Sequence, residues 1–245
     1  AKDNNGGLVI VDSWKRGNDR TNSNMVVMGV AGVGKSTAVK HIILSEYMKG
    51  TKIIIIDPES EYKDLCHNLD GDWINAGGGV NGKINPLQIR PAPRDSDEEP
   101  EEKGGKLYAD VEGMSDMALH VKNLEIFFQL YLPSLSDMQK AVLKQSVIEL
   151  YQRFGIDWDT DISAFGNEKF PTFSELYKLI DEKAKANDGD SEYRNLALLF
   201  YDVANGSDSF LWNGYSTIET HTRCICLDTH SLQNTSENLK RTQYF

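Results

Sequence analysis

Met25-Val26-Val27-Met28-Gly29-Val30-Ala31-Gly32-Val33-Gly34-Lys35-Ser36-Thr37 decides the fold. An apolar run leads into Gly-x4-Gly-Lys-Ser, and a helical pattern follows at once. Each position of that pattern has a mechanism. The glycines let the backbone turn its N–H groups toward a β-phosphate with no Cβ in the way. Lys35 places a point charge on the β- and γ-phosphates, and Ser36 offers a hydroxyl to Mg²⁺. The helix that begins there directs its positive end at the same anions. Gly29, Gly32, Val33, Gly34, Lys35, Ser36 and Thr37 are therefore the expected binding residues for ATP and Mg²⁺. Lys35 is also a candidate catalytic residue and Ser36 a candidate metal ligand.

The flanks supply the context this motif needs. Met25 to Met28 reads as a buried strand, and Ser36 to Met48 as a helix with Val39, Ile42, Ile43 and Tyr47 at helical spacing and Gly50 to end it. Lys52 to Ile56 reads as a parallel strand covered on both faces. Asn24 to Asp57 is then a β-α-β unit with a right-handed crossover. Upstream, Leu8 to Val11 reads as a short strand. Asp57 closes the isoleucine strand, at the edge where open α/β sheets bind ligands. A carboxylate there can hold an Mg²⁺ water or orient an attacking one. Asp57-Pro58-Glu59 also reads as a helix cap followed by Pro at the first helical position. Asp57 and Glu61 are the candidate catalytic acids, and Asp57 is a candidate metal ligand. Glu59 is a weaker one, and Arg223 could reach phosphate.

Farther along, Glu61 to Leu69 suggests a short helix and Trp73 to Ala76 a third strand, before the loops Gly77-Gly78-Gly79 and Ile84-Asn85-Pro86-Leu87. The acidic run Asp95 to Glu102 is most simply a solvated loop. From about Asp110 to Asn205 the pattern turns helical: Met114 to Leu132, a capping box at Ser136-Asp137-Met138-Gln139, another at Thr172-Phe173-Ser174-Glu175, and Ser191 to Asn205. Phe127, Phe128 and Tyr131 read as packing residues, and His41 as structural. Thr222 to Asp228 returns to the sheet, and a last helix starts near Asn234. The expected organisation is residues 1–109 as the first part of the nucleotide-binding domain, 110–206 as an inserted all-α subdomain, and 207–245 as the return.

Composition limits the rest. The chain has 245 residues, 40% hydrophobic and 26% charged, with a net charge of −11. That suits a folded protein and gives no support to one whose main task is gripping nucleic acid. Three cysteines, Cys66, Cys224 and Cys226, argue for a reducing compartment, and Cys224-Ile225-Cys226 has the wrong spacing for a zinc knuckle. No apolar run is long enough to span a membrane.

With NSNMVVMGVAGVGKST, IIIIDPESEY, GKINPL, PTFSELYKLI and TRCICLDTHSL in view, the chain resembles the large ATPases of type IV secretion and conjugation systems. This is the VirB-four or TraC family, within the HerA/FtsK branch of RecA-like motors. The resemblance implies an α/β fold: a RecA-like P-loop domain with a mostly parallel sheet and an inserted all-α subdomain. It implies ATP hydrolysis that energises secretion or conjugative transfer across the bacterial envelope. It places the protein in the bacterial cytoplasm, held at the inner membrane by other type IV secretion components or by an amino-terminal domain, with self-association; direct contact with nucleic acid stays open. Residue by residue, Gly29, Gly34, Lys35 and Ser36 match its Walker A motif, and Asp57 and Glu61 its acidic positions. Its Walker B strand is expected beyond Phe245, so residues 1–245 alone should bind ATP yet hydrolyse it hardly at all. Competing readings are a DNA-pumping translocase or coupling protein of the same superfamily, a small-molecule P-loop kinase, and an assembly module that seldom hydrolyses ATP.

Overall fold

The computed structural model describes residues 14, 22–80, 82–91, 115–186, 191–218 and 222–245. The expected strand at Leu8 to Val11 and the acidic run lie outside them. The chain divides into two compact units, Ala1–Lys52 and Ile53–Phe245.

In the first unit, helix α1 spans Lys35–Met48 and follows directly on the glycine loop. Its end is built as the sequence suggests: Lys49 and Gly50 return their N–H groups to Glu46 and Tyr47 carbonyls, with Gly50 at φ 95°. The strand expected at Met25 to Met28 is not formed. Residues 22–30 carry no strand, and Val26 and Met28 are exposed. An apolar run marks a segment that gains from burial; a strand also needs a neighbour that takes its N–H and C=O groups, and no residue pattern guarantees one.

The second unit holds a three-stranded parallel sheet of β1 (Ile53–Asp57), β2 (Asp72–Asn75) and β3 (Cys224–Asp228), in the order β1-β3-β2. β3 is therefore central. Its register puts Asp57 beside Asp228 on one side and Asn75 beside Asp228 on the other. On one face, Ile55, Cys66, Cys224 and Cys226 are buried, with Cys66 supplied by α2 (Lys63–Asn68). On the other, Ile54 and Ile56 of β1 are exposed. Within this unit the four isoleucines of β1 therefore pack on one face only. β1 is an edge strand of this sheet, and its alternate residues differ in burial because successive side chains point to opposite faces.

Between β2 and β3 lies a helical layer: α3 (Asp116–Tyr131), α4 (Asp137–Arg153), α5 (Phe173–Ala186), α6 (Ser191–Asn205) and the short α7 (Ser209–Trp212). Local chemistry sets its boundaries. Ser136 and Gln139 form a complete capping box for α4, and Gly155 at φ 73° follows its end. At α5, Glu175 accepts from both the backbone and the hydroxyl of Thr172. The core sits here. Phe127 lies 5.1 Å from Trp212 and stacks at 6.0 Å on Phe173, while Phe128 meets Phe200 edge-on at 5.5 Å. Trp212, Phe173 and Phe200 are fully buried. Such rings pack offset or edge-to-face because their faces are negative and their edges positive. A last helix, α8 (Glu237–Tyr244), is capped by Ser236.

Candidate nucleotide site and the sheet edge

The glycine loop has the backbone its sequence requires. Gly32 and Gly34 sit at φ 81° and 89°, where side-chain-bearing residues are strained. A β-carbon added at either would meet nothing within 4 Å, so glycine is required there for conformation, not for space. At Gly29 an added β-carbon would come within 2.8 Å of Val33 Cγ2, because the loop folds back on itself. Gly34 is the N-cap of α1, and no side chain caps that helix. Its positive end is therefore free for an anion. Lys35 Nζ donates across the loop to the Val30 carbonyl at 3.0 Å, Ser36 is partly buried, and Thr37 is exposed. This arrangement fits a nucleotide phosphate: open N–H donors, glycines that leave room, and one cation tethered to the loop. Among the described residues no cluster of three His, Cys, Asp or Glu could hold a metal ion. Mg²⁺ that arrives with phosphates needs no such cage.

The second unit arranges its acids at the carboxyl edge of the sheet. Asp57 is 1% exposed. Its Oδ1 accepts from the Glu59 N–H at 3.3 Å and its Oδ2 from the Tyr62 N–H at 2.8 Å. Asp57 thus organises the turn that leads into α2, but it is not the expected helix cap: α2 begins at Lys63 with Tyr62 as its N-cap, and Pro58 lies outside the helix. Glu59 and Glu61 are exposed on that turn. Burial, then the Glu61 and Asp57 carboxylates, raise the Tyr62 phenol above its ordinary pKa. Asp228, also buried, accepts from the Ser60 hydroxyl and from the His230 N–H at 2.9 Å. Ser60 itself has φ 57°. Nothing in the residue pattern marks Ser60 or its tie to Asp228: the two are 168 residues apart, and a serine with positive φ has no sequence signature. Arg223 is exposed and contributes its backbone carbonyl to Ile53 N–H; His41 is exposed on α1.

The Ile84-Asn85-Pro86-Leu87 loop proves to be a fastener. Asn85 is 3% exposed; its Nδ2 donates to the Pro171 carbonyl at 2.9 Å, its Oδ1 accepts from Leu87 N–H, and its own N–H donates to Ser216 Oγ. Leu87 is fully buried, and its carbonyl accepts from Tyr151 Oη at 2.8 Å. Because that phenol proton is committed, His120 Nε2, 2.9 Å away, must be the donor to Tyr151 Oη. Burial holds this imidazole down to about 4.

Comparison with known proteins agrees with these features. A family model described as TraG P-loop domain matches residues 5–105. Protein TraC of Escherichia coli (strain K12) is 33% identical over 80 residues, 33% of this chain and 9% of that protein. The solved structure of VirB4 of Thermoanaerobacter pseudethanolicus superposes with a TM-score of 0.84 at 44% identity, over 99% of this chain and 59% of that one. The matched region is therefore less than two thirds of the length of either relative. The chain thus has an α/β, RecA-like P-loop architecture, and it is similar to the TraG P-loop domain, to TraC and to VirB4.

Proposed function

We propose that this domain binds and hydrolyses ATP with Mg²⁺ to energise type IV secretion or conjugative transfer. The observation that carries the reading is the uncapped start of α1 beneath Gly32 and Gly34, with Lys35 tethered across the loop. Phosphoryl transfer asks little covalent chemistry of a protein, so positioning and charge neutralisation do most of the work. The α1 N–H groups and Lys35 would offset the charge of the phosphates; Mg²⁺, when bound, would supply further positive charge there. Ser36 is the residue assigned to the metal; Asp57, which the family resemblance also offers as a ligand, is buried with both oxygens held by the Glu59 and Tyr62 N–H groups. Asp57 and Glu61 are assigned to orienting the attacking water. The acidic assignments rest on the family resemblance.

The same reading makes residues 110–206 an insertion into a motor domain formed by 1–109 and 207–245. In support, β2 and β3 flank the helical layer in sequence and pair directly. Among the described residues no helix is long and apolar enough to cross a membrane, in keeping with a domain held at the inner membrane by partner subunits. Phosphate release by the intact protein tests hydrolysis. Glu61→Gln and Lys35→Ala should each abolish it, and unchanged turnover in both would defeat the proposal.

A further inference from the structure

The turn Pro58-Glu59-Ser60-Glu61 is gripped from two strands. Asp57 holds it from β1 through the N–H groups of Glu59 and Tyr62. From the β3 side, Asp228 accepts the Ser60 hydroxyl, and His230 Nδ1 reaches the Pro58 carbonyl at 3.2 Å. Ser60 is one of two described non-glycine residues with positive φ. A serine placed there costs on the order of 1 kcal/mol or more, and such a conformation persists only where its surroundings hold it. The only side-chain hydrogen bond described for Ser60 runs to Asp228, a carboxylate that is itself 5% exposed and fixed by the His230 N–H.

We propose that Ser60 and Asp228 form a latch in which Asp228, acting through the Ser60 hydroxyl, is a positioning residue for the acidic turn that carries Glu61. The Asp57 carboxylate alone fixes the backbone at 59 and 62 but not the residue between Glu59 and Glu61. The latch fixes that residue and ties it to the central strand. Rotation at position 60 would swing both flanking carboxylates, and a displacement of about 1 Å at a reacting centre can cost about a hundredfold in rate. The inference rests on the reading that Glu61 serves hydrolysis.

The test is steady-state ATP turnover and ATP affinity of the intact protein carrying Ser60→Ala, Ser60→Gly, Ser60→Asn or Glu61→Gln, with thermal melts of each. Ser60→Ala and Ser60→Gly should lower kcat about tenfold or more, with Kd for ATP within about twofold. The glycine variant removes the hydroxyl while accepting the left-handed backbone, so a loss there belongs to the hydroxyl. Asn tolerates positive φ and can donate its amide to Asp228, so Ser60→Asn should restore kcat to within about threefold of wild type. Ser60→Ala turning over at the wild-type rate while Glu61→Gln is dead would overturn the latch alone. So would equal losses in kcat and ATP affinity. Glu61→Gln turning over normally would overturn the reading beneath it.

Discussion

Asn85 Nδ2 donates to the Pro171 carbonyl at 2.9 Å, joining the loop after β2 to the start of α5 across 86 residues of sequence. With Leu87 N–H on its Oδ1, the Asn85 amide spends both ends inside the protein. Removing it leaves a buried donor and a buried acceptor unpaired, each worth about 1–3 kcal/mol. Asn85→Ala should therefore destabilise the protein by about 3 kcal/mol in urea denaturation. A loss below about 0.5 kcal/mol, the range of ordinary surface changes, would show that this amide fastens nothing.

The His120 pair gives a pH dependence with a definite sign. Burial holds its folded-state pKa at about 4, against about 6.5 unfolded. As pH falls below about 6.5 the unfolded chain takes up the proton first, so His120 contributes stability above that pH and loses it progressively toward 4. The whole effect is about 3 kcal/mol. His120→Gln removes the titration. Denaturation at pH 7.5 and 4.5 should show wild type losing more stability than the variant, and identical losses would refute the assignment.

Cys66, Cys224 and Cys226 are all fully buried and unbridged. Burial pushes the Cys66 and Cys226 thiols up to about 12 and raises Cys224 as well. Since the thiolate is the reactive form, none should react with a thiol reagent at pH 8 in the native protein, and all three should react in denaturant. Rapid native labelling would mean that this face of the sheet is open.

Asp57→Asn is expected to leave ATP binding intact and to remove most hydrolysis. The amide keeps one oxygen for the Tyr62 or Glu59 N–H but turns an NH₂ toward the other. Isothermal titration and phosphate release on the same preparation would check it. Unchanged turnover would leave Asp57 only the holder of its turn.

What could be read before the structure was chiefly what local physics dictates. The capping box at Ser136, the stop at Gly155, the apolar strands ending at Asp57 and Asp228 and the aromatic positions Phe127, Phe128 and Tyr131 all follow from neighbours within a few residues. The P-loop was legible for the same reason, since Gly32 and Gly34 are demanded by backbone angle and Gly29 by the loop folding back on itself. What failed depends on partners distant in sequence. Met25 to Met28 is as apolar as a strand but forms none, and the isoleucines of β1 divide into buried and exposed because successive side chains point to opposite faces and one face packs within this unit. The Ser60–Asp228 tie and the fastening role of Asn85 likewise exist only once the chain has folded.

Nucleotide bound at the glycine loop underlies every functional assignment made above. The thermal shift produced by Mg-ATP, in wild type and in Lys35→Ala, measures it directly. Lys35 Nζ rests on the Val30 carbonyl, from which a phosphate would draw it. A ligand that binds only the folded state, at 100 times its dissociation constant, stabilises by about 2.7 kcal/mol. Wild type should show an upward shift of several degrees that Lys35→Ala loses. Equal shifts in the two proteins, or none in wild type at millimolar Mg-ATP, would contradict it.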